Sequence, residues 1–108
     1  MDELFDRFIK AIHEKHKVKL TFYSNDDKGF VTRICAPMDH APSRRERSGE
    51  FKLHFWDYTS LQGPHPLSLS RNAIQTMEVL AEHFEPDVVT WDVRTSPWNI
   101  KRDWGSKS

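Results

Sequence analysis

Apolar positions recur along this chain with two periods, and the change between them marks the first structural boundary. From about Asp2 to His16 the apolar residues follow the three-and-four spacing of one helix face. They are Leu4, Phe5, Phe8, Ile9 and Ile12. Acidic residues near the start and the basic run from Lys15 to Lys17 near the end suit the helix dipole. Because so short a helix is marginal alone in water, its apolar face predicts docking onto another element.

After the helix the period becomes two, which is typical of strands. Val18–Ser24 is the first predicted strand, and the turn residues of 25–29 (Asn-Asp-Asp-Lys-Gly) lead into a return strand, Phe30–Ala36. Pro37 is predicted to end that strand, and a polar, proline-punctuated loop is predicted from Met38 to Gly49.

The third predicted strand, Phe51–Tyr58, separates two classes of side chain. Phe51, Leu53 and Phe55 fall on one side and are predicted to be core. Lys52, His54, Trp56 and Tyr58 fall on the other side and are predicted to face away from it. Cationic and aromatic side chains of this kind hold phosphates and stack on bases in nucleic-acid-binding proteins.

Two more strands complete the predicted sheet. His65–Ser70 is the fourth, and Ile74–Ala81 is the fifth, although the apolar spacing of the fifth also fits a helical turn. One helix followed by about five short antiparallel strands predicts an α+β fold that is mostly β, with the helix capping a small, strongly bent sheet or barrel.

The chain divides into a helix-and-strand domain, 1–86, and a C-terminal tail, 87–108. The tail carries three of the four tryptophans, at Trp91, Trp98 and Trp104. A disordered tail is usually poor in aromatic residues. We therefore expect these indoles to pack back onto the barrel or onto a partner.

Composition limits the classes of function. Sixteen basic and sixteen acidic side chains cancel, so affinity for a polyanion has to come from local clustering of charge. The lone Cys35 excludes an internal disulfide and fits a reducing compartment. No apolar run approaches the ~20 residues of a membrane helix, and the acidic first residues are unlike a signal peptide, so a cytoplasmic protein is expected.

The sequence does not favour catalysis or metal binding. No nucleophile has an adjacent base, and only four glycines are present. His13 and His16 are three residues apart, not the four of the zinc-protease motif, and the other histidines are scattered. We expect a protein that is not an enzyme and has no cofactor.

The order of these signals resembles the WYL-domain family, over about residues 8–86. The residues that carry the resemblance are Ala11-Ile12, Phe22-Tyr23, Arg33 to Pro37, Phe51-Lys52-Leu53, Leu69-Ser70-Arg71 and Phe84-Glu85-Pro86. The resemblance implies a small SH3/Sm-like barrel in a ligand- or nucleic-acid-binding regulator, with basic and aromatic residues on its binding surface. Carried over by position, these are Tyr23, Arg33, Lys52 and Arg71. This sequence has no helix-turn-helix, so the barrel or its loop would contact nucleic acid directly.

Each candidate site has a structural alternative. The side of the third strand carrying Lys52, His54, Trp56 and Tyr58 either binds a ligand or is covered by the tail. The loop around Arg44, Arg45 and Arg47 either grips phosphates or is a solvated connector. Arg33 and Arg71 either contact a ligand or pair with carboxylates such as Asp57 or Glu78.

Three functions follow from these candidates. The first is binding of single-stranded DNA or RNA. The second is sensing of a small anion or nucleotide at Arg33 and Arg71, with the signal passed to a partner regulator. The third is protein interaction through the tryptophan-bearing tail, and that tail together with an exposed barrel edge favours a homodimer.

Overall fold

The computed structural model describes residues 3–42, 48–88, 93 and 97–108, which form one long helix and a single antiparallel sheet. The helix is α1 (Glu3–Glu14). The strands are β1 (His16–Ser24), β2 (Gly29–Pro42), β3 (Phe51–Asp57), β4 (His65–Leu69) and β5 (Ile74–His83). Their hydrogen-bonded order is β4-β3-β2-β1-β5. The predicted α+β fold, with one N-terminal helix and five antiparallel strands, is confirmed.

Helix α1 buries the predicted stripe but ends earlier than predicted. Leu4, Phe8, Ala11 and Ile12 are buried against the sheet. Lys15 adopts a left-handed backbone conformation, φ 60°, which is a common way for a helix to terminate. Strand β1 begins at the next residue, His16, so the prediction that His16 lies on the helix beside His13 is wrong.

Strand β2 is twice as long as the predicted strand, and Pro37 does not end it. Its first half pairs with β1, from Ser24↔Gly29 to Val18↔Cys35, and its second half pairs with β3, from Cys35↔Asp57 to Pro42↔Phe51. Pro37 lies beyond the β1 ladder, beside a register shift before Asp39. A proline is tolerated at such an irregularity because the regular ladder is interrupted there.

Strand β5 is extended, so the helical alternative for this segment is wrong. Phe22 opposes Ile74 and Thr21 opposes Thr76, which leaves Gln75 as an extra residue in the β5 ladder. An extra residue shifts the alternation of side chains by one. The bulge therefore explains how Ile74 and Met77, three residues apart, are both buried.

The core lies between α1 and one face of the sheet. Val18, Leu20 and Phe22 of β1 are buried as predicted. Phe8 of α1 contacts Phe55 of β3 edge-on, with 5.3 Å between the ring centroids. Burial of each such side chain contributes roughly 1.5–3 kcal/mol.

Candidate functional site

Strand β3 is buried on both of its sides, including the side that was predicted to bind a ligand. Leu53 and Phe55 are core, as predicted. His54 and Trp56 were predicted to face away from that core, but they are only 6% and 7% exposed, so neither is open to a ligand in this structure. Phe51, predicted to be core, is 48% exposed and packs beside the ring of His40.

His54 is held by hydrogen bonds to both neighbouring strands. Its Nε2 lies 2.8 Å from the carbonyl oxygen of Ala41 in β2, and its Nδ1 lies 2.8 Å from Oγ of Ser68 in β4. A carbonyl only accepts, so Nε2 donates, and in the neutral ring Nδ1 accepts from the Ser68 hydroxyl. His54 therefore links three strands and is a structural residue in this conformation.

The tail lies on the His54 side of the sheet. Asp39 opposes His54 in the β2–β3 ladder, and directly opposed side chains lie on the same face. The Asp39 carboxylate accepts hydrogen bonds from the backbone N–H groups of Asn99 and Ile100, each at 2.9 Å. Of the two alternatives for this face, coverage by the tail is the one found at Asp39.

Two of the three tail tryptophans are buried inside the chain. Trp98 and Trp104 are 5% and 4% exposed, and their ring centroids are 5.4 Å apart. Trp104 also contacts Phe84 edge-on and donates through Nε1 to the carbonyl of Ile12, at 2.9 Å. Neither indole is open to a partner in this structure, and Trp91 lies outside the described residues.

The other predicted aromatic and basic candidates differ in accessibility. Tyr23 is 44% exposed and contacts Phe30 edge-on across the β1–β2 hairpin. Lys52 is partly buried. Tyr58 is also partly buried, beneath Nζ of Lys17, and its burial raises the pKa of its hydroxyl to about 12. Arg44, Arg45 and Arg47 lie outside the described residues.

Arg33 and Arg71 line two different cavities, so the predicted anion site that contains both arginines is not formed. Nε of Arg33 lies 3.5 Å from Oδ2 of Asp57, which is the carboxylate pairing considered as the structural alternative. Nη1 of Arg71 donates to the carbonyl of Ile74 at 3.4 Å, which holds the guanidinium beside the start of β5.

The Arg71 cavity lies between the first turn of α1 and the start of β5. Its volume is about 360 Å³, and its lining residues are Glu3, Leu4, Arg7, Arg71, Gln75, Thr76 and Met77. Among the residues that the structure describes, two guanidinium groups and one carboxylate give the lining a net positive charge. The N–H groups of the first turn of α1, which have no partner within the helix, add partial positive charge at the same place. The arrangement suits a small anionic group.

Arg7 is the residue of this cavity that the sequence did not indicate. It lies on the polar side of α1, where an arginine is usually only solvated. The helix stripe fixes which side of α1 docks, but not which part of the sheet its polar residues approach. The packing of α1 against β5 brings Arg7 to the same cavity as Arg71.

The Arg33 cavity has the opposite charge. It is about 220 Å³ in volume and is lined by Phe22, Ser24, Asp26, Asp27, Val31, Arg33, Asp57, Ser60, Leu61, Gln62, His65 and Leu67. Three carboxylates outnumber one guanidinium. A small anion is therefore not the ligand that this cavity favours.

The remaining chemistry of the described residues is limited. Cys35 is buried, and desolvation together with the nearby Asp57 carboxylate raises the pKa of its thiol, which keeps the thiol protonated and unreactive. Among residues 3–42, 48–88, 93 and 97–108, no three His, Cys, Asp or Glu side chains are grouped to hold a metal ion. In the same residues, no helix has the length and apolar character needed to cross a membrane.

Comparison with known proteins finds a likeness of fold. No protein-family model matches the sequence, and no curated protein matches it. The structure is similar to part of proteasome accessory factor B/C (PafBC) of Arthrobacter aurescens, with a TM-score of 0.56 and 13% sequence identity. The likeness covers 91% of this chain and 13% of the PafBC chain. At this identity the likeness shows a shared fold and no more.

Proposed function

We propose that this chain is a non-enzymatic, WYL-like regulatory module that binds a phosphate group in the Arg71 cavity. The phosphate belongs to single-stranded nucleic acid or to a free nucleotide. The observation that carries the proposal is the convergence of Arg7, Arg71 and the start of α1 on one cavity, with Glu3 as the only acidic residue among the described residues that line it. Arg71 is also one of the two arginines that the WYL resemblance places on the binding surface.

The chemistry of the cavity supports a phosphate. A guanidinium matches phosphate with two parallel hydrogen bonds. The N-terminus of a helix adds backbone N–H donors and a favourable dipole. Gln75 and Thr76 offer further hydrogen-bonding groups, while Leu4 and Met77 supply apolar surface.

An exposed ring at the end of β1, that of Tyr23, favours a nucleic-acid or nucleotide ligand over a bare anion. Tyr23 is 44% exposed and follows Phe22, which opposes Ile74 at the start of β5. Arg71 begins the short 3-10 turn that leads into β5, and β1 packs against that turn. Tyr23 does not line the cavity and, as the neighbour of the inward-facing Phe22, lies on the other side of β1. A ligand that stacks a base on Tyr23 and places a phosphate at Arg71 would therefore pass around this end of the β1–β5 pair. Base stacking on an aromatic side chain contributes about 1–3 kcal/mol.

Fluorescence anisotropy with labelled oligothymidylate and its RNA counterpart, at low and moderate salt, tests the proposal. The informative variant is Arg7→Gln, since Arg7 is exposed on α1 and lines the cavity. We expect Kd to rise about tenfold, because a hydrogen bond to a charged group contributes about 1.5–3 kcal/mol. The slope of affinity against salt should also fall by about 0.7 for each lost phosphate contact.

Lys10→Gln is the matched control. Lys10 is exposed on the same helix but does not line the cavity, and the substitution removes the same charge. Competition with mononucleotides then separates the two phosphate sources, because a nucleotide sensor is saturated by the monomer and a strand-binding module is not. Absence of binding to every phosphate ligand at low salt, or equal effects of the two variants, would refute the proposal.

A further inference from the structure

The Arg33 cavity is a second site whose lining differs in kind from the first. It lies where the β1–β2 turn approaches the connection between β3 and β4. Asp26 and Asp27 of the lining come from the turn, and Ser60, Leu61 and Gln62 come from the connection. The proposed phosphate function makes no use of it.

The inner wall of the cavity is apolar. Phe22 of β1 opposes Val31 of β2, so both side chains lie on the inner face of the sheet, and Leu67 of β4 joins them in the lining. These three side chains can bury an aromatic or branched aliphatic group. Burial of that group would contribute roughly 25 cal/mol per Å² of apolar surface removed from water.

A buried carboxylate lies among these apolar residues. Asp57 is 1% exposed. Its Oδ1 accepts a hydrogen bond from the backbone N–H of Thr59 at 2.9 Å, whereas its Oδ2 has Nε of Arg33 at 3.5 Å. An N–H···O hydrogen bond is normally about 2.7–3.2 Å long, so this ion pair leaves acceptor capacity on Oδ2. A donor in the cavity can use that capacity.

The rim of the cavity adds to the negative charge. Asp26 and Asp27 are exposed on the β1–β2 turn. Together with Asp57 they supply three carboxylates against the single guanidinium of Arg33. A concave surface with one dominant sign of charge concentrates ions of the opposite sign.

We propose that the Arg33 cavity binds a small organic cation, namely a primary ammonium that carries one aromatic or branched aliphatic group. The ammonium donates to Oδ2 of Asp57. The apolar group packs on Phe22, Val31 and Leu67. The rim carboxylates of Asp26 and Asp27 exclude anions of the same shape.

Three probes with one shared ring test this proposal, with backbone amide chemical shifts as the readout. Benzylammonium carries the positive charge, benzyl alcohol is neutral and benzoate is negative. We expect benzylammonium to give saturable shifts at Val31, Thr59 and Leu67, benzyl alcohol to bind at least about tenfold more weakly, and benzoate to give no saturable shift. The proposal is overturned if benzoate binds as well as benzylammonium, or if benzylammonium does not saturate these shifts.

A rim variant and a matched control, both at exposed residues, test the charge of the cavity without disturbing the fold. Asp57→Asn removes the acceptor but also weakens the Thr59 turn, so the rim variant Asp26→Asn/Asp27→Asn is the primary one. It should weaken benzylammonium binding about fivefold by reducing the local negative charge. Glu78→Gln/Glu85→Gln removes two exposed negative charges away from the cavity and should leave the affinity unchanged. Equal effects of the two double variants would contradict the proposal.

Oligonucleotide affinity, measured on the same rim variant, separates this site from the Arg71 cavity. It should not fall when Asp26 and Asp27 lose their charge. Either proposal can therefore fail while the other stands.

Discussion

Arg102 in the tail and Asp39 in β2 form an ion pair with both side chains buried. Nη2 of Arg102 lies 3.4 Å from Oδ1 of Asp39, and the two side chains are 0% and 2% exposed. The guanidinium carbon also lies 4.0 Å from the ring centroid of Trp98 and 4.4 Å from that of Trp104. Arg102 donates to the carbonyls of Met38 and Ile100 as well. The tail is thus joined to the sheet by a desolvated charge pair with most of its hydrogen-bonding groups satisfied.

Removal of Asp39 should be strongly destabilising. Asp39→Ala leaves Arg102 buried without its carboxylate and leaves the N–H groups of Asn99 and Ile100 without their acceptor. Loss of one partner of a buried pair costs about 3–5 kcal/mol, so we expect a loss of that order in urea unfolding. Asp103→Asn, at an exposed neighbour of Arg102, is the control. A stability loss no larger than that of the control would show that the pair contributes little.

Deletion of residues 97–108 should destabilise the whole fold and not only release a tail. The deletion uncovers Phe84 and the end of α1, where Trp104 packs and donates to the Ile12 carbonyl. Thermal unfolding and binding of a hydrophobic dye measure the effect. A shortened chain with unchanged unfolding temperature would restore the alternative in which the tail is an adhesive element for partners.

Trp56→Ala should reduce the free energy of unfolding by more than it reduces the free energy of oligonucleotide binding. Trp56 is 7% exposed, and truncation of a buried tryptophan costs about 3–5 kcal/mol. Oligonucleotide affinity is then measured below the unfolding transition and corrected for the folded fraction. A large loss of affinity in fully folded Trp56→Ala protein would mean that the β3 face opens to bind bases.

Tyr58 should ionise late in an absorbance titration at alkaline pH. Burial raises the pKa of Tyr58 to about 12 from an unfolded value of 10. The folded state therefore holds the phenolic proton more tightly, and this contribution to stability is complete below pH 10 and is lost as the pH rises towards about 12. In Tyr58→Phe the late ionisation should disappear. Absence of the late ionisation from the parent chain would contradict the burial of Tyr58.

The sequence predicted helices and strands well where burial of one side of the element alone determines the spacing of its apolar residues. Val18, Leu20 and Phe22 alternate because one side of β1 faces the core, and the α1 stripe reports its docked side in the same way. The same rule failed on β3. Alternation distinguishes the two sides of a strand, but it does not show that a distant segment covers the outer side, as the tail does at Asp39.

The candidate sites were predicted less completely because they depend on tertiary placement. Arg71 was indicated by the WYL resemblance, but its neighbour Arg7 follows only from how α1 packs on β5. Arg33 was expected to share a ligand with Arg71. The register of β2 instead places Arg33 opposite Leu20 on the inner face, near Asp57.

The single residue between α1 and β1 has a mechanical consequence. Because Lys15 alone connects the two elements, the position of β1 restricts the position of the helix end. The carbonyl of Lys15 also accepts a hydrogen bond from the N–H of Phe84 at 2.9 Å. Trp104 holds the carbonyl of Ile12 in the same turn. The C-terminal end of α1 is thus held by hydrogen bonds from Phe84 and Trp104, two residues far along the sequence. These contacts help to set the orientation of the helix that carries Arg7. The spacing of the two guanidinium groups in the Arg71 cavity is therefore set in part by the last residues of the chain.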